Sequence, residues 1–223
     1  GNYYRIWRAN RGDVSPVVLH RVRLISLGDS DTAPSGIQDV LVLADTVYVL
    51  DDFAKRIRVF NSLGHALFAF GQAGSGPGDF ATPFALAPVG TGLLVLNLRR
   101  TKPIQLWDHA GRFRGTRLYG TTGNPSSAVT LGDTLVVSTL SPMKVNGSEF
   151  LAISADSNGT ILGHGCLRDP RYAASEARSG FLALFTRTDL STDGRRVYCV
   201  QPASSVVQIL DVRGNLIGTI RRA

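Results

Sequence analysis

The chain is poor in the residues that usually announce a chemistry. Among its 223 residues are two cysteines, one methionine and four histidines, and 18% of positions are charged. Cys166 and Cys199 allow at most one intramolecular bridge, which excludes a disulfide-rich scaffold and a cysteine-based zinc site. Free cysteine is among the most buried side chains, so both read as small apolar core residues, with a bridge between them as the alternative. No apolar run approaches the ~20 residues that a membrane-spanning helix needs, so no membrane insertion is expected. The first residues, Gly-Asn-Tyr-Tyr-Arg-Ile-Trp, lack the basic stretch and apolar core of a signal peptide. Lysine is scarce too: of 24 basic residues behind the net charge of +7, only Lys55, Lys102 and Lys144 are lysines.

What is present is a repeat. Four segments end an apolar stretch with Asn or Asp, two variable residues and Gly: Asn61-Ser-Leu-Gly64, Asp108-His-Ala-Gly111, Asp156-Ser-Asn-Gly159 and Asp211-Val-Arg-Gly214. Their first residues are 47 (61 to 108), 48 (108 to 156) and 55 (156 to 211) positions apart. Each is a tight hairpin on chemical grounds, because Asn or Asp caps the turn and Gly takes the positive φ that closes it. Before each turn lie two β-rich runs and after it another. The upstream runs are Thr46 to Leu50, Gly92 to Leu96, Thr134 to Ser138 and Arg196 to Val200, preceded by Ile37 to Leu43, Phe84 to Ala87, Ala128 to Leu131 and Phe181 to Phe185.

Four short strands per unit of about 45 residues, with almost no helical periodicity, predict an all-β chain of four-stranded antiparallel propeller blades. A sandwich gives no reason for one turn chemistry to recur at that period. The expected units are 37–70, 84–119, 128–163 and 181–220, in one domain over 1–223, with an N-terminal hairpin within 3–28.

The run Val47-Tyr-Val-Leu-Asp-Asp-Phe-Ala-Lys-Arg-Ile-Arg-Val-Phe-Asn-Ser-Leu-Gly-His-Ala-Leu-Phe-Ala-Phe-Gly71, with Gly74-Ser-Gly-Pro-Gly-Asp-Phe80 and Pro83, resembles an NHL repeat and the related bacterial six-bladed propellers. The likeness is best over 46–88, weaker over 92–119, and reduces to turn chemistry beyond that. It implies a ring of six, of which this chain carries four blades; the N-terminal hairpin would be the outer half of another blade, and the chain a fragment of a larger propeller or, as the alternative, a five-bladed form with one incomplete blade. It implies a fold and no single activity, since the family includes RNA-binding, protein-binding and lyase members. Bacterial propellers of this kind are often exported, so the resemblance implies an extracytoplasmic location.

In a propeller, the loops between second and third strands and those between blades share one face, and the remaining hairpin turns share the other. The first face is expected to carry Lys55, Arg56, Arg99, Arg100 and Lys102, together with Arg168, Arg171 and Tyr172 from a long connection at 165–180. These are the candidate ligand-binding residues, and the expected partner is a protein, a peptide or a glycan. RNA is the alternative, because positive faces make phosphate contacts. Against it, Arg112, Arg114, Arg117 and Arg213 place as much positive charge on the opposite face, and Phe53, Phe80 and Tyr172 are the only evident stacking platforms.

No catalytic residue, metal or cofactor is assigned. Gly71-Gln-Ala-Gly-Ser-Gly-Pro-Gly78 fails as a phosphate loop, since Pro77 stands where the lysine belongs and no helix follows; it reads as a blade connection that lets Phe80 pack between sheets. His20, His65, His109 and His164 have no metal-ligand spacing. A metal-dependent enzyme of lactonase or amidating-lyase type rests on fold analogy alone: Asp39, Asp51, Asp52 and Asp133 lie near inner strand ends, yet Asp51-Asp52 reads more simply as a turn.

Overall fold

A computed structural model describes residues 4–7, 16–19, 24–97, 104–117, 125–132, 134–139, 148–154, 161–167, 189–200 and 206–221. An antiparallel hairpin of β1 (Tyr4–Trp7) and β2 (Pro16–Leu19) comes first. Four antiparallel four-stranded sheets follow in chain order. Unit I is β3 (Ile37–Leu43), β4 (Thr46–Asp51), β5 (Arg56–Asn61) and β6 (Ala66–Phe70). A connection holding the short parallel pair β7 (Gln72–Ala73) and β8 (Asp79–Phe80) leads to unit II: β9 (Pro83–Val89), β10 (Gly92–Asn97), β11 (Ile104–Asp108) and β12 (Phe113–Arg117). Unit III is β13 (Pro125–Leu131), β14 (Thr134–Thr139), β15 (Ser148–Ser154) and β16 (Ile161–Leu167). Unit IV is β17 (Asp189–Thr192), β18 (Val197–Val200), β19 (Val206–Leu210) and β20 (Leu216–Arg221).

Within each unit the strands pair in sequence order, and the first strands β3, β9, β13 and β17 touch one another in that order. This is the blade arrangement of a β-propeller. The β-branched and aromatic runs named above supply most of the strands, and their period-two alternation divides each sheet into two faces, which pack where two units are neighbours. Tyr48, Leu50, Ile57 and Val59 of unit I meet Leu86, Leu93, Val95 and Trp107 of unit II, with Phe80 of the connection inserted between them. The opposite face of unit II, through Leu94, Leu96 and Ile104, packs on Leu135 and Val137 of unit III. Val136 of unit III in turn packs with Val197, Cys199 and Leu210 of unit IV.

The anchor turns form as their residue types dictate. In the first, the Gly64 N–H donates to the Asn61 carbonyl, while Asn61 Oδ1 accepts from the Leu63 and His65 amides at 2.9 and 3.0 Å. Asp108 and Asp211 repeat the pattern, and Gly64, Gly111 and Gly214 close the three turns at φ 89°, 74° and 84°. The Asp156 turn lies outside the described residues.

Two expectations change. Cys166 and Cys199 are not free thiols: they form a disulfide, with Cα atoms 6.1 Å apart, that ties β16 of unit III to β18 of unit IV. The cause is cross-blade adjacency, since Cys166 belongs to the last strand of its unit and not to the long connection. The paired first strand of unit IV is Asp189–Thr192; residues 181–185, which the apolar pattern favoured, lie outside the described residues.

Candidate functional site

The four first strands border a groove along the propeller axis. Its cavity of about 340 Å³ is lined by residues of all four, among them Asp39, Leu86, Ser127, Thr130, Ser191 and Thr192. Side chains stitch adjacent units at its wall. Asp39 Oδ2 accepts the Leu86 amide of unit II at 2.8 Å, and Ser127 Oγ accepts the Leu190 amide of unit IV at 3.2 Å. Both occupy one blade position: Asp39 pairs with Leu50, Ala85 with Leu96, Ser127 with Ser138 and Asp189 with Val200. The carboxylate of Asp39 is therefore part of the framework, a use that its sequence position did not reveal.

The first loop face of unit I is built around Asp51. Its buried carboxylate accepts the Ser35, Gly36 and Ala54 amides at 3.0, 3.1 and 3.1 Å, the Ser35 hydroxyl at 2.9 Å and Arg58 Nε at 2.9 Å. Burial alone would raise its pKa; the Ser35 and Ala54 amides and the Arg58 guanidinium outweigh it and hold the carboxyl far below the usual carboxylate range. The turn reading of Asp51-Asp52 is thus correct but incomplete, because its partners lie 16 residues upstream and 7 downstream. A further bond from the Asp52 amide to the Gly36 carbonyl, 2.8 Å, fastens the loop to the blade entry.

On this fastened loop Phe53 stands 81% exposed. One side of its ring lies against Gly36, where a Cβ would collide with it. Ile37, also exposed, is adjacent in sequence to that glycine. Lys55, at φ 50°, is ion-paired with Asp52, and Arg56 is exposed at the start of β5. Arg99, Arg100, Lys102, Arg168, Arg171 and Tyr172 lie outside the described residues, so of the candidate set the structure brings together Lys55 and Arg56.

The equivalent of Asp51 in unit II is Asn97, by the registers of β4 with β3 and β10 with β9. Asn97 is buried, yet neither its Oδ1 nor its Nδ2 has a hydrogen-bond partner among the described residues. The position of Arg58 is taken by Gln105, whose amide turns away to the Asp79 carbonyl at 2.7 Å and to Trp107 Nε1 at 3.1 Å.

The glycine-rich connection is exposed over residues 72–77 and anchored by its buried end at Gly78 and Phe80. The Asp79 carboxylate accepts the Gly76 amide at 2.8 Å and the Gln72 side chain at 3.0 Å, filling with protein oxygen the place an anion would need. Phe80 is fully buried, 5.6 Å between ring centroids from Trp107. On the opposite face His109 Nδ1 lies 3.1 Å from the Tyr48 hydroxyl, a link between units I and II, and Arg114 is held by Asp108 at 2.6 Å. Among the described residues no group of three or more His, Cys, Asp or Glu is placed to hold a metal ion.

No family model matches the sequence, and neither does any curated protein. Solved structures do match in fold. An exported protein from Bacteroides fragilis aligns with a TM-score of 0.66 at 16% identity, over 89% of this chain and 53% of that one. Virginiamycin B lyase from Staphylococcus aureus gives 0.53 at 13%, over 98% and 63%, and the Pan2 WD40 domain of Neurospora crassa 0.54 at 10%, over 84% and 52%. The chain thus spans between half and two thirds of the length of these propeller-like proteins. At such identities the likeness establishes the β-propeller fold and carries no activity.

Proposed function

We propose that this chain is a noncatalytic, NHL-like binding propeller that presents its first loop face to a protein, peptide or glycan. The observation that carries this reading is Phe53, a large aromatic held out to solvent on a loop that Asp51, Ser35, Gly36 and Arg58 make rigid. A rigid aromatic with two side-chain torsions loses little entropy on binding, and such residues anchor recognition surfaces. Exposing one on a preorganised loop has no benefit for folding, since the hydrophobic effect favours its burial. Of the carboxylates that the sequence singled out, Asp51 is held by the loop, Asp52 by Lys55 and Asp39 by the wall of the groove, while Asp133 lies outside the described residues.

An extracytoplasmic location belongs to the same reading. It is supported by the Cys166–Cys199 disulfide, because such bonds persist in oxidising compartments, and by the exported protein among the structural neighbours. Probing a glycan array and a random heptapeptide library with the wild type and with Phe53→Ala tests the binding reading. Selective capture that Phe53→Ala abolishes is expected. Capture indifferent to that change, saturable binding of poly(U) RNA in its place, or turnover of a lactone or ester that Asp39→Ala abolishes, would each refute it.

A further inference from the structure

A second cavity, of about 420 Å³, lies between the exposed stretch of the glycine-rich connection and the outer strands of unit II. The connection from Ser75 to Pro77 forms one wall; Gln105 of β11 and Phe113, Gly115 and Thr116 of β12 form the other. Phe113 is half-buried and meets Trp107 edge-on, with ring centroids 5.5 Å apart. Gly115, at φ 140°, keeps the middle of that wall bare, since a Cβ there would meet no atom within 4 Å. None of the lining side chains is charged, and the Asp79 carboxylate, held by the Gly76 amide at 2.8 Å, disfavours an anion.

At the floor of this cleft unit II departs from unit I. Val49 pairs with Arg58 and Val95 with Gln105, so Asp51 and Asn97, each two residues further along, stand on the same sheet face as those partners and diagonal to them. In unit I the diagonal pair is a carboxylate and a guanidinium in contact at 2.9 Å. In unit II both members are carboxamides. Gln105, 4% exposed, gives one N–H to the Asp79 carbonyl and accepts one bond from Trp107 Nε1, which leaves its second N–H and second lone pair open. Asn97, 2% exposed, has neither end of its amide paired among the described residues. Buried polar groups are nearly always paired, so an unpaired amide beside a cavity points to a partner that the chain does not itself supply.

From the cleft and its two amides, we propose that this joint between units I and II binds a neutral sugar residue. A carboxamide presents donor and acceptor side by side, which matches a pair of neighbouring ring hydroxyls. Gln105 meets that pair, and the Asn97 amide is linked in through Gln105 or an ordered water. Ser75 and Thr116 bring hydroxyls to the two walls, and Phe113 offers an apolar surface to the C–H face of the ring. The volume is at the small end for a ligand site and suits one or two rings, whereas an extended peptide advances ~3.3 Å per residue and outruns it. The site shares no residue with the Phe53 loop and does not rest on that reading.

Saturation-transfer NMR on the methyl glycosides of glucose, galactose, mannose and N-acetylglucosamine, with a blocked alanyl-leucyl-serine tripeptide for comparison, tests this. At least one glycoside is expected to receive saturation, with a millimolar dissociation constant, and to shift the indole N–H signal of Trp107, whose acceptor is Gln105. Thr116→Trp, at an exposed position of the wall, plugs the cleft and abolishes both effects without touching the core. Asn97→Leu raises the dissociation constant roughly tenfold or more in a folded protein, and Phe53→Ala changes nothing. Millimolar binding is washed from an array, so the role of Phe53 is decided separately. Absence of transfer to every glycoside overturns the proposal. So do transfer that persists in Thr116→Trp, an affinity unchanged in Asn97→Leu, loss of binding in Phe53→Ala, and preference for the tripeptide.

Discussion

Replacing Cys166 and Cys199 by alanine removes a covalent tie between units III and IV, and the cost can be worked from the loop that it closes. The two residues are 33 positions apart. In the chain-entropy treatment a loop of that length restricts the unfolded ensemble by about 12.5 cal/mol/K, or about 3.7 kcal/mol at 25 °C. Each sulfur is also lost from a buried site, since Cys166 and Cys199 are both 1% exposed and pack with Val136, Val197 and Leu210. Alanine fills part of that space and adds no polar group, so the loop term dominates. For a chain of this size each kcal/mol moves the melting temperature by roughly 2–4 °C, which predicts a fall of about 7–15 °C.

The assay is a pair of thermal melts, wild type and double variant, each with and without a phosphine reductant. The reductant should lower the wild type to the level of the variant and leave the variant unmoved. Hydrogen exchange should place the loss in β14, β16, β18 and β19, because the bond joins units III and IV and not I and II. Equal melting temperatures in all four samples, or two reactive thiols in denatured protein purified without reductant, would refute the reasoning.

Three other perturbations follow from the same geometry. Asp51→Ala removes the partner of Arg58 and of three amides and should cost about 3–5 kcal/mol by denaturant titration. Because the folded carboxyl titrates below its ordinary value of 3.8, its stabilisation is fully present at neutral pH and is lost as pH falls below about 4. Denaturant midpoints should therefore drop in acid for the wild type more steeply than for Asp51→Ala. Gly71→Ala combines a φ of 79° with a Cβ driven into the Phe80 ring, so a loss exceeding the ~1–2 kcal/mol of a left-handed alanine is expected from melting curves. Asn97→Leu replaces a buried carboxamide that has no hydrogen-bond partner among the described residues by an apolar group of the same shape and should raise stability by about 1–3 kcal/mol; a lowered melting temperature would refute this.

What could be read beforehand was whatever local chemistry determines. The Asn61, Asp108 and Asp211 turns were legible because a cap, a glycine and their spacing lie within four residues, and three such turns at blade spacing imply the architecture. The burial of Phe80 was legible for the same reason, the glycines before it leaving little else for the connection to do. Features made by contacts across units were not. The disulfide needs β16 beside β18, and the sequence assigned Cys166 to a loop. The first strand of unit IV, Asp-Leu-Ser-Thr, is short and polar because Ser191 and Thr192 line the axial groove, so the more apolar Phe181 to Phe185 drew the assignment. At the candidate site, charge pointed to Lys55, which Asp52 occupies, and away from Phe53, whose significance depends on a loop rigidity set by Ser35 and Arg58. Charge counts report the composition of a face. Which groups on it remain open to a ligand depends on the partners folding brings to them, and at this face the partners leave an aromatic ring outside.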